Sequence, residues 1–301
     1  MLTIPDSKLV YAIGPDDPPA ATCAPGDVVC FETRDCFSNQ IRAETDLFES
    51  VGWATINPAT GPLYVEGSVP GDTLKVTVLD IEVKSPGVMV AVPRLGALGH
   101  LIQKSETRVV PLEGSCARFS AGISVPLDPM IGVIGTAPAD KAVPCGTPGA
   151  HGGNMDTRHI RKAAVVYLPV AVPGALLSLG DLHAVMADGE AVVCGVEVSG
   201  KVTAKVELLK SISLPCPVVE DSSSTYFLFS AETLDAAAQG ALEAALYHVT
   251  SRTTMSTAEA GMLLSLIGHL EISQVVDPLK TARLRLPAWA GRELGLRIGR
   301  D

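Results

Sequence analysis

Short apolar alternations, cut every few residues by glycine or proline, run through the first two thirds of the chain. They constrain it to short strands joined by tight turns. Val28-Val-Cys-Phe31 is a near-continuous apolar run of the kind a strand buried on both faces carries. Over residues 72–84, Leu74, Val76 and Val78 share one parity while Leu79, Ile81 and Val83 take the other. That change of phase predicts a β-bulge at Val78-Leu79. Pro129-Met-Ile-Gly-Val-Ile-Gly135 is apolar but broken by glycine, which predicts a buried segment where backbone passes close to backbone. Residues 191–199 and 201–209 read as a hairpin about Ser199-Gly200.

The period changes after Ser230. Leu234, Ala238, Ala241, Ala245 and Val249 recur near 3.6 residues, which predicts a helix over 232–249 with Ser230 as its N-cap. Ser256-x-x-Glu259 is a capping-box pattern opening a second helix, with Leu263, Leu266, Ile267 and Leu270 as its apolar stripe. His248 and His269 fall on these two helices and read as ordinary helix histidines. Residues 282–286 alternate again and predict a returning strand. The expected fold is mainly β, sandwich- or barrel-like, with two helices near the C-terminus and an α+β character in minor part. No internal repeat or low-complexity tract divides the 301 residues. One compact unit is expected, made of a β subdomain (1–145), a site-bearing β core (146–215) and a helix-containing part (216–301).

Lys and Arg total 23 against 33 Asp and Glu, a net charge of -10, which argues against nucleic-acid and anionic-membrane partners. No run approaches the roughly 18 apolar residues of a membrane span, and residues 1–10 lack the pattern of a signal peptide. The seven cysteines are scattered and never form Cys-x-x-Cys. They read as reduced thiols of a cytoplasmic protein. Gly-x-Ser-x-Gly, a Ser-Ser-Lys amidase signature, Gly-x-Gly-x-x-Gly and a P-loop are all missing from the sequence. A serine-nucleophile amidase and a nucleotide cofactor therefore have no support.

Polar side chains concentrate in three places. The stretch 146–160 holds His151, Asn154, Asp156, Arg158 and His159 among glycines. Gly152 and Gly153 permit a sharp bend or close approach to a ligand, with a backbone-shaping role as the competing reading. Arg158 and His159 read as structural partners of surface carboxylates, and Cys145 as a packed thiol. The second place is Leu179-Gly-Asp-Leu-His-Ala184 followed by Asp188-Gly-Glu190. In extended backbone Asp181 and His183 project to one face, and Asp188-Gly189-Glu190 is a turn carrying two carboxylates. An imidazole with carboxylates suits a divalent metal; a structural His–Asp pair beside a solvated turn is the alternative. The third is Asp35, at the end of the Val28 run, where a turn or cap role competes.

Several segments together resemble the acetamidase/formamidase family: Asp35-Cys-Phe-Ser-Asn-Gln40, Pro129 to Gly135, His151-Gly-Gly-Asn-Met-Asp156, Tyr167-Leu-Pro-Val170, Pro173 to Ala184, Asp188-Gly-Glu190 and Ser273-Gln-Val-Val-Asp277. They follow the family's order over nearly the whole chain. Where family members often carry Gln-Gly before Asp-Gly-Glu, this chain has Met186-Ala187, which implies a different pocket wall. The resemblance implies hydrolysis of a short amide such as formamide or acetamide to carboxylate and ammonia. It also implies a homo-oligomer of two or more copies. A metal-assisted site for that reaction assigns Asp35, Asp181 and His183 as ligands of a divalent ion, zinc favoured over calcium because an imidazole is in the set. Glu190, His183 and Asp188 are then the catalytic group, and His151, Gly152, Gly153, Asn154 and Asp156 the substrate wall. The competing functions are hydrolysis of a cyclic amide or lactam on the same scaffold, and non-catalytic binding of a metal or small molecule.

Overall fold

The computed structural model describes residues 1–210 and 212–299. Two nine-stranded sheets carry the fold. In the first, the long strands Thr73–Val83 and Gly200–Leu209 lie side by side. Val28–Thr33 flanks Gly200–Leu209, and Val165–Pro169 flanks Thr73–Val83. The sheet continues through Val218–Glu220, Ser224–Ala231 and Lys280–Pro287 to an edge at His269–Gln274. The second sheet is built on Leu177–His183, which pairs with Met130–Gly135, Ala59–Val65 and Glu197–Val198.

Alternation explains how the two sheets meet. Leu74, Val76 and Val78 of the first sheet are fully buried, while Lys75 and Thr77 between them are half-buried. Those three residues share one core cluster with Val202, Ala204 and Val206 of the neighbouring strand and with Ile131, Ile134, Leu177, Leu179 and Leu182 of the second sheet. The apolar faces of both sheets thus close on each other as a sandwich. The expected bulge is present. Asp80 pairs with Thr203 but Val78 with Ala204, so Leu79 is the extra residue.

A second cluster covers the far end of the first sheet. The helix Leu234–Arg252 sets Ala241, Ala244, Ala245 and Val249 against Phe227, Leu284 and Leu286, with Ala260 and Leu264 of Thr257–Ile267 beside them. Small residues let this helix lie close: a Cβ at Gly240 would come within 2.3 Å of the Phe229 ring. Ser256 and Glu259 form the expected capping box.

Three local expectations are corrected. The first helix is capped by Thr233, whose hydroxyl accepts the Ala236 N–H at 3.2 Å. Ser230 instead belongs to a strand and bonds Thr281 across it. His269 opens the edge strand rather than lying on a helix. The two expected helices are both present, and a short third one, Ala288–Glu293, follows the returning strand. Ser199-Gly200 is a crossover, not a hairpin turn: Glu197–Val198 pairs in the second sheet and Gly200–Leu209 in the first. Gly200 makes that crossing possible, because a Cβ there would sit 2.3 Å from the Glu82 carbonyl oxygen.

All seven cysteines are free, and no helix among the described residues is long and apolar enough to cross a membrane. The shared core makes a concrete stability prediction. Ile134 is fully buried between the sheets, so Ile134→Ala is expected to cost about 2–5 kcal/mol. Leu266 is 82% exposed, so Leu266→Ala should stay within about 0.5 kcal/mol. Urea unfolding of the two variants beside wild type measures both.

Candidate active site

Every residue of the strand Leu177–His183 is buried, including Asp181 and His183. Its neighbour Met130–Gly135 brings Gly132 opposite Asp181, between the pairs Ile131–Leu182 and Val133–Gly180. A Cβ at Gly132 would lie 2.5 Å from Asp156 Oδ1 and 2.8 Å from Asp181 Oδ2. The glycine that breaks this apolar run is therefore the room two carboxylates occupy. Asp156 arrives just beyond the short strand Gly152–Asn154, which pairs with Met130–Gly135. Gly152 and Gly153 hold φ of 100° and 80°, and a Cβ at Gly152 would strike the Ile134 carbonyl at 2.2 Å. Asp156, Asp181 and Glu190 also adopt positive φ, at 39°, 56° and 50°. Such backbone is uncommon outside glycine and collects where a structure holds functional groups in place.

His183 is the hub. Its Nε2 lies 3.1 Å from Glu197 Oε1, 3.6 Å from Asp181 Oδ1 and 3.8 Å from Asp156 Oδ1. Donor atoms of Asp156, His183 and Glu190 all fall within 4.8 Å of one another, as do those of Cys36, Asp181 and Glu197. Asn57 Nδ2 donates to Asp181 Oδ2 at 3.1 Å. Asp277 packs beside Asp156; the residue is half-buried, with its Oδ2 enclosed.

Charge is the outstanding feature. Burial raises the Asp156 carboxyl to about 7, with the Asp181 charge adding to it and His183 opposing. Burial raises Glu197 to about 8, again with Asp181 adding and His183 opposing. Glu190 and Asp277 are pushed well above the carboxylate range, first by burial and then by the charge of Asp156. Burial alone would lower the His183 imidazole, but Glu197 and Asp181 outweigh it and hold its pKa well above the usual value. Enclosed carboxylates in this density need protons or a cation. Both oxygens of Asp156, Oδ1 of Asp181, Oε2 of Glu190, Oε2 of Glu197 and Oδ2 of Asp277 have no hydrogen-bond partner. Unpartnered carboxylate oxygens grouped with an imidazole and a thiol are donors that could hold a divalent metal. The residues present fit such an ion.

The expected site residues divide. Asp156, Asp181, His183 and Glu190 come together in this cluster, and Asn154 lines the cleft beside it. His151 lies beneath the wall, where burial lowers it to about 4, and neither it nor Gly152 nor Gly153 lines the cleft. Those three shape the wall from behind. Asp35, expected as a ligand, is buried near Asp181 but belongs to neither group of close donor atoms; its Oδ1 accepts the N–H groups of Phe37 at 3.0 Å and Asn39 at 2.7 Å. It is the brace of the turn that presents Cys36. Asp188, expected as catalytic, is corrected. Its two oxygens accept from Arg283 at 2.9 and 2.7 Å, outside the cluster. Arg158 pairs with Asp128 and His159 stacks on Tyr226, both structural as expected. Met186 is buried and does not line the cleft.

Sequence reasoning missed Cys36, Glu197 and Asp277 as site groups. Glu197 had a legible signal, being the one charge between Val196 and Val198 in an apolar run. Cys36 and Asp277 sit inside the family-like segments without having been given a role.

The cluster opens into a cleft of about 880 Å³. Asp181, His183, Glu190, Glu197, Asp277 and Asn57 supply its polar lining, and Phe37, Phe48, Trp53 and Val90 much of its apolar lining.

Known proteins share the fold over nearly the whole chain. The crystal structure of an acetamidase from Bacillus halodurans is 48% identical, with a TM-score of 0.96 over 98% of this chain and 100% of its own. That of a predicted acetamidase/formamidase from Thermoanaerobacter tengcongensis is 45% identical, with a TM-score of 0.96 over 98% of both chains. The formamidase of Methylophilus methylotrophus is 26% identical across 74% of this chain and 72% of its own. The profile of the Acetamidase/Formamidase family matches residues 7–145 and 139–223, and with these likenesses it settles the affiliation: the chain belongs to the acetamidase/formamidase family.

Proposed function

We propose that this protein hydrolyses the C–N bond of short linear amides, with formamide and acetamide as the smallest substrates, giving a carboxylate and ammonia. The observation that carries this reading is the group of enclosed carboxylates with unpartnered oxygens around His183, open to a cleft. Family membership and the acetamidase and formamidase relatives support the reaction class.

Asp156, Asp181, His183 and Glu197, with Cys36 beside them, would hold a divalent ion; imidazole and thiol in the set favour zinc over calcium. When bound, such an ion supplies a Lewis acid that polarises an amide carbonyl and brings the pKa of a water to about 7. The chain's own groups do the rest. Glu190 faces the cleft with Oε2 unpartnered, placed to take a proton from water and return it to the leaving nitrogen. Asn154 and Asn57, also on the lining, can orient a neutral amide by hydrogen bonds. Asp188 does not touch the reacting atoms. Through Arg283 it fixes the turn from which Glu190 projects.

Replacing Glu190 by Gln keeps the shape and removes the proton carrier. Ammonia release from acetamide is expected to fall at least 100-fold, with circular dichroism and metal content unchanged. A near-wild-type rate in that variant would remove Glu190 from the mechanism.

Protonation gives a second expectation. Asp156 and Glu197 hold protons up to about 7 and 8 when folded, but only to about 4 when unfolded. Their contribution to the stability of the metal-free protein is therefore full below about pH 4 and is lost as pH rises through 7 to 8. The metal-free melting temperature should fall between pH 5 and 8. Zinc competes with those same protons, so its stabilisation should grow over that interval. Thermal melts at fixed ionic strength with and without zinc test both signs.

A further inference from the structure

The cleft is far larger than the smallest amides require. Acetamide fills a volume on the order of two or three waters, at about 30 Å³ each in the liquid, whereas the cleft measures about 880 Å³. Its size is that of a site for a much larger molecule.

The surplus wall has a defined chemistry. Phe37, Phe48, Ile56, Val90, Leu95 and Val193 line the cleft, and all six belong to one apolar cluster. That cluster also contains Cys36 and Cys194, so it abuts the carboxylate group directly. Aromatic rings step along it edge to face. Phe37 meets Phe48 with centroids 6.3 Å apart, and Phe48 meets Trp53 at 5.1 Å. Exposure climbs along the series, from 2% at Phe37 through 7% at Phe48 to 68% at Trp53. The rings therefore run from the enclosed site to the rim. Trp53 is left uncovered on a lined cavity, unlike a core tryptophan.

Charge narrows the occupant further. The polar end presents carboxylates, which repel an anionic substrate. Lys280, which also lines the cleft, is bonded to the Asp277 carbonyl. Phe37, Phe48, Ile56, Val90, Leu95 and Val193 carry no polar side-chain atom, so a polar substituent seated among them would lose its water without gaining a side-chain partner.

We propose that the cleft selects neutral primary amides whose carbonyl carries an apolar, aryl-bearing substituent, seated along Phe37, Phe48 and Trp53. This rests on the amide-hydrolase reading above. The reaction is unchanged: water adds its oxygen to the carbonyl carbon, the C–N bond breaks, and the nitrogen leaves as ammonia with the proton from water. The aromatic wall touches only the substituent, so it sets which amide is hydrolysed rather than how.

The test compares ammonia release from phenylacetamide and acetamide by the zinc-loaded protein. Seating a phenyl group is expected to raise kcat/KM roughly tenfold or more over acetamide, mostly through KM because the contact is remote from the reacting atoms. In Trp53→Ala the phenylacetamide-to-acetamide ratio should drop about threefold to tenfold. The position is exposed, so the fold is expected to survive. Acetamide turned over as well as or better than phenylacetamide by wild type would overturn the proposal and leave the amidase reading standing, as would a ratio unmoved in the variant. Ammonia from neither amide would sink the amidase reading instead. Titration calorimetry with phenylacetamide then decides the cleft alone: saturable binding weakened by Trp53→Ala supports the aromatic seat, and absence of binding overturns it.

Discussion

Enclosing several carboxylates around a single imidazole is the constraint on which this structure turns. Each buried ion costs several kcal/mol unless matched by opposite charge or hydrogen bonds, and here one imidazole faces three carboxylates while many of the inward oxygens have no hydrogen-bond partner. Without a cation the group settles by holding protons, which is why burial and mutual repulsion lift Asp156, Glu190, Glu197 and Asp277 together. With a cation, the same oxygens become ligands. The site thus has room for more positive charge than His183 alone provides.

Much of the surrounding structure follows from holding that group in place. Gly132 withholds a side chain where two carboxylates meet. Three site carboxylates stand on left-handed backbone, a conformation that neighbouring packing must impose. The brace is visible on the Glu190 side. Arg283 is 1% exposed and binds Asp188 at two points, Glu271 at 3.0 Å and Ser273 Oγ at 3.1 Å. Ser273 accepts in turn from Thr157, the residue after Asp156, at 2.8 Å. The Gly189 N–H donates to the Ser273 carbonyl at 2.7 Å. One buried guanidinium therefore ties the turn carrying Glu190 to the strand preceding Asp277 and, through Ser273, to the Thr157 side chain that follows Asp156.

The sequence was most legible where a local rule acts alone. The phase change at Val78-Leu79 located a bulge, and Ser256-x-x-Glu259 located a helix start, because each depends on neighbours a few residues apart. Asp156, Asp181, His183 and Glu190 stood out as polar residues among glycines or apolar runs. Legibility ended where a partner lies far along the chain. Asp188 looked equivalent to Glu190, but Arg283, 95 residues away, claims it. The two N–H groups that take Oδ1 of Asp35 come from its own turn and leave no mark in residue type. Ser199-Gly200 has the composition of a hairpin turn, and only the pairing of each side with a different sheet makes it a crossover. That misreading hid Glu197, which the crossover delivers to His183.

The central claim is that the carboxylate–imidazole group is a cation site that amide hydrolysis requires. It is tested most directly by one titration: ammonia release from acetamide by chelator-stripped protein as zinc is added back, with bound metal measured at each point. Activity absent in the stripped protein and rising in proportion to bound zinc is the expected result. Full activity with no metal bound would contradict the account.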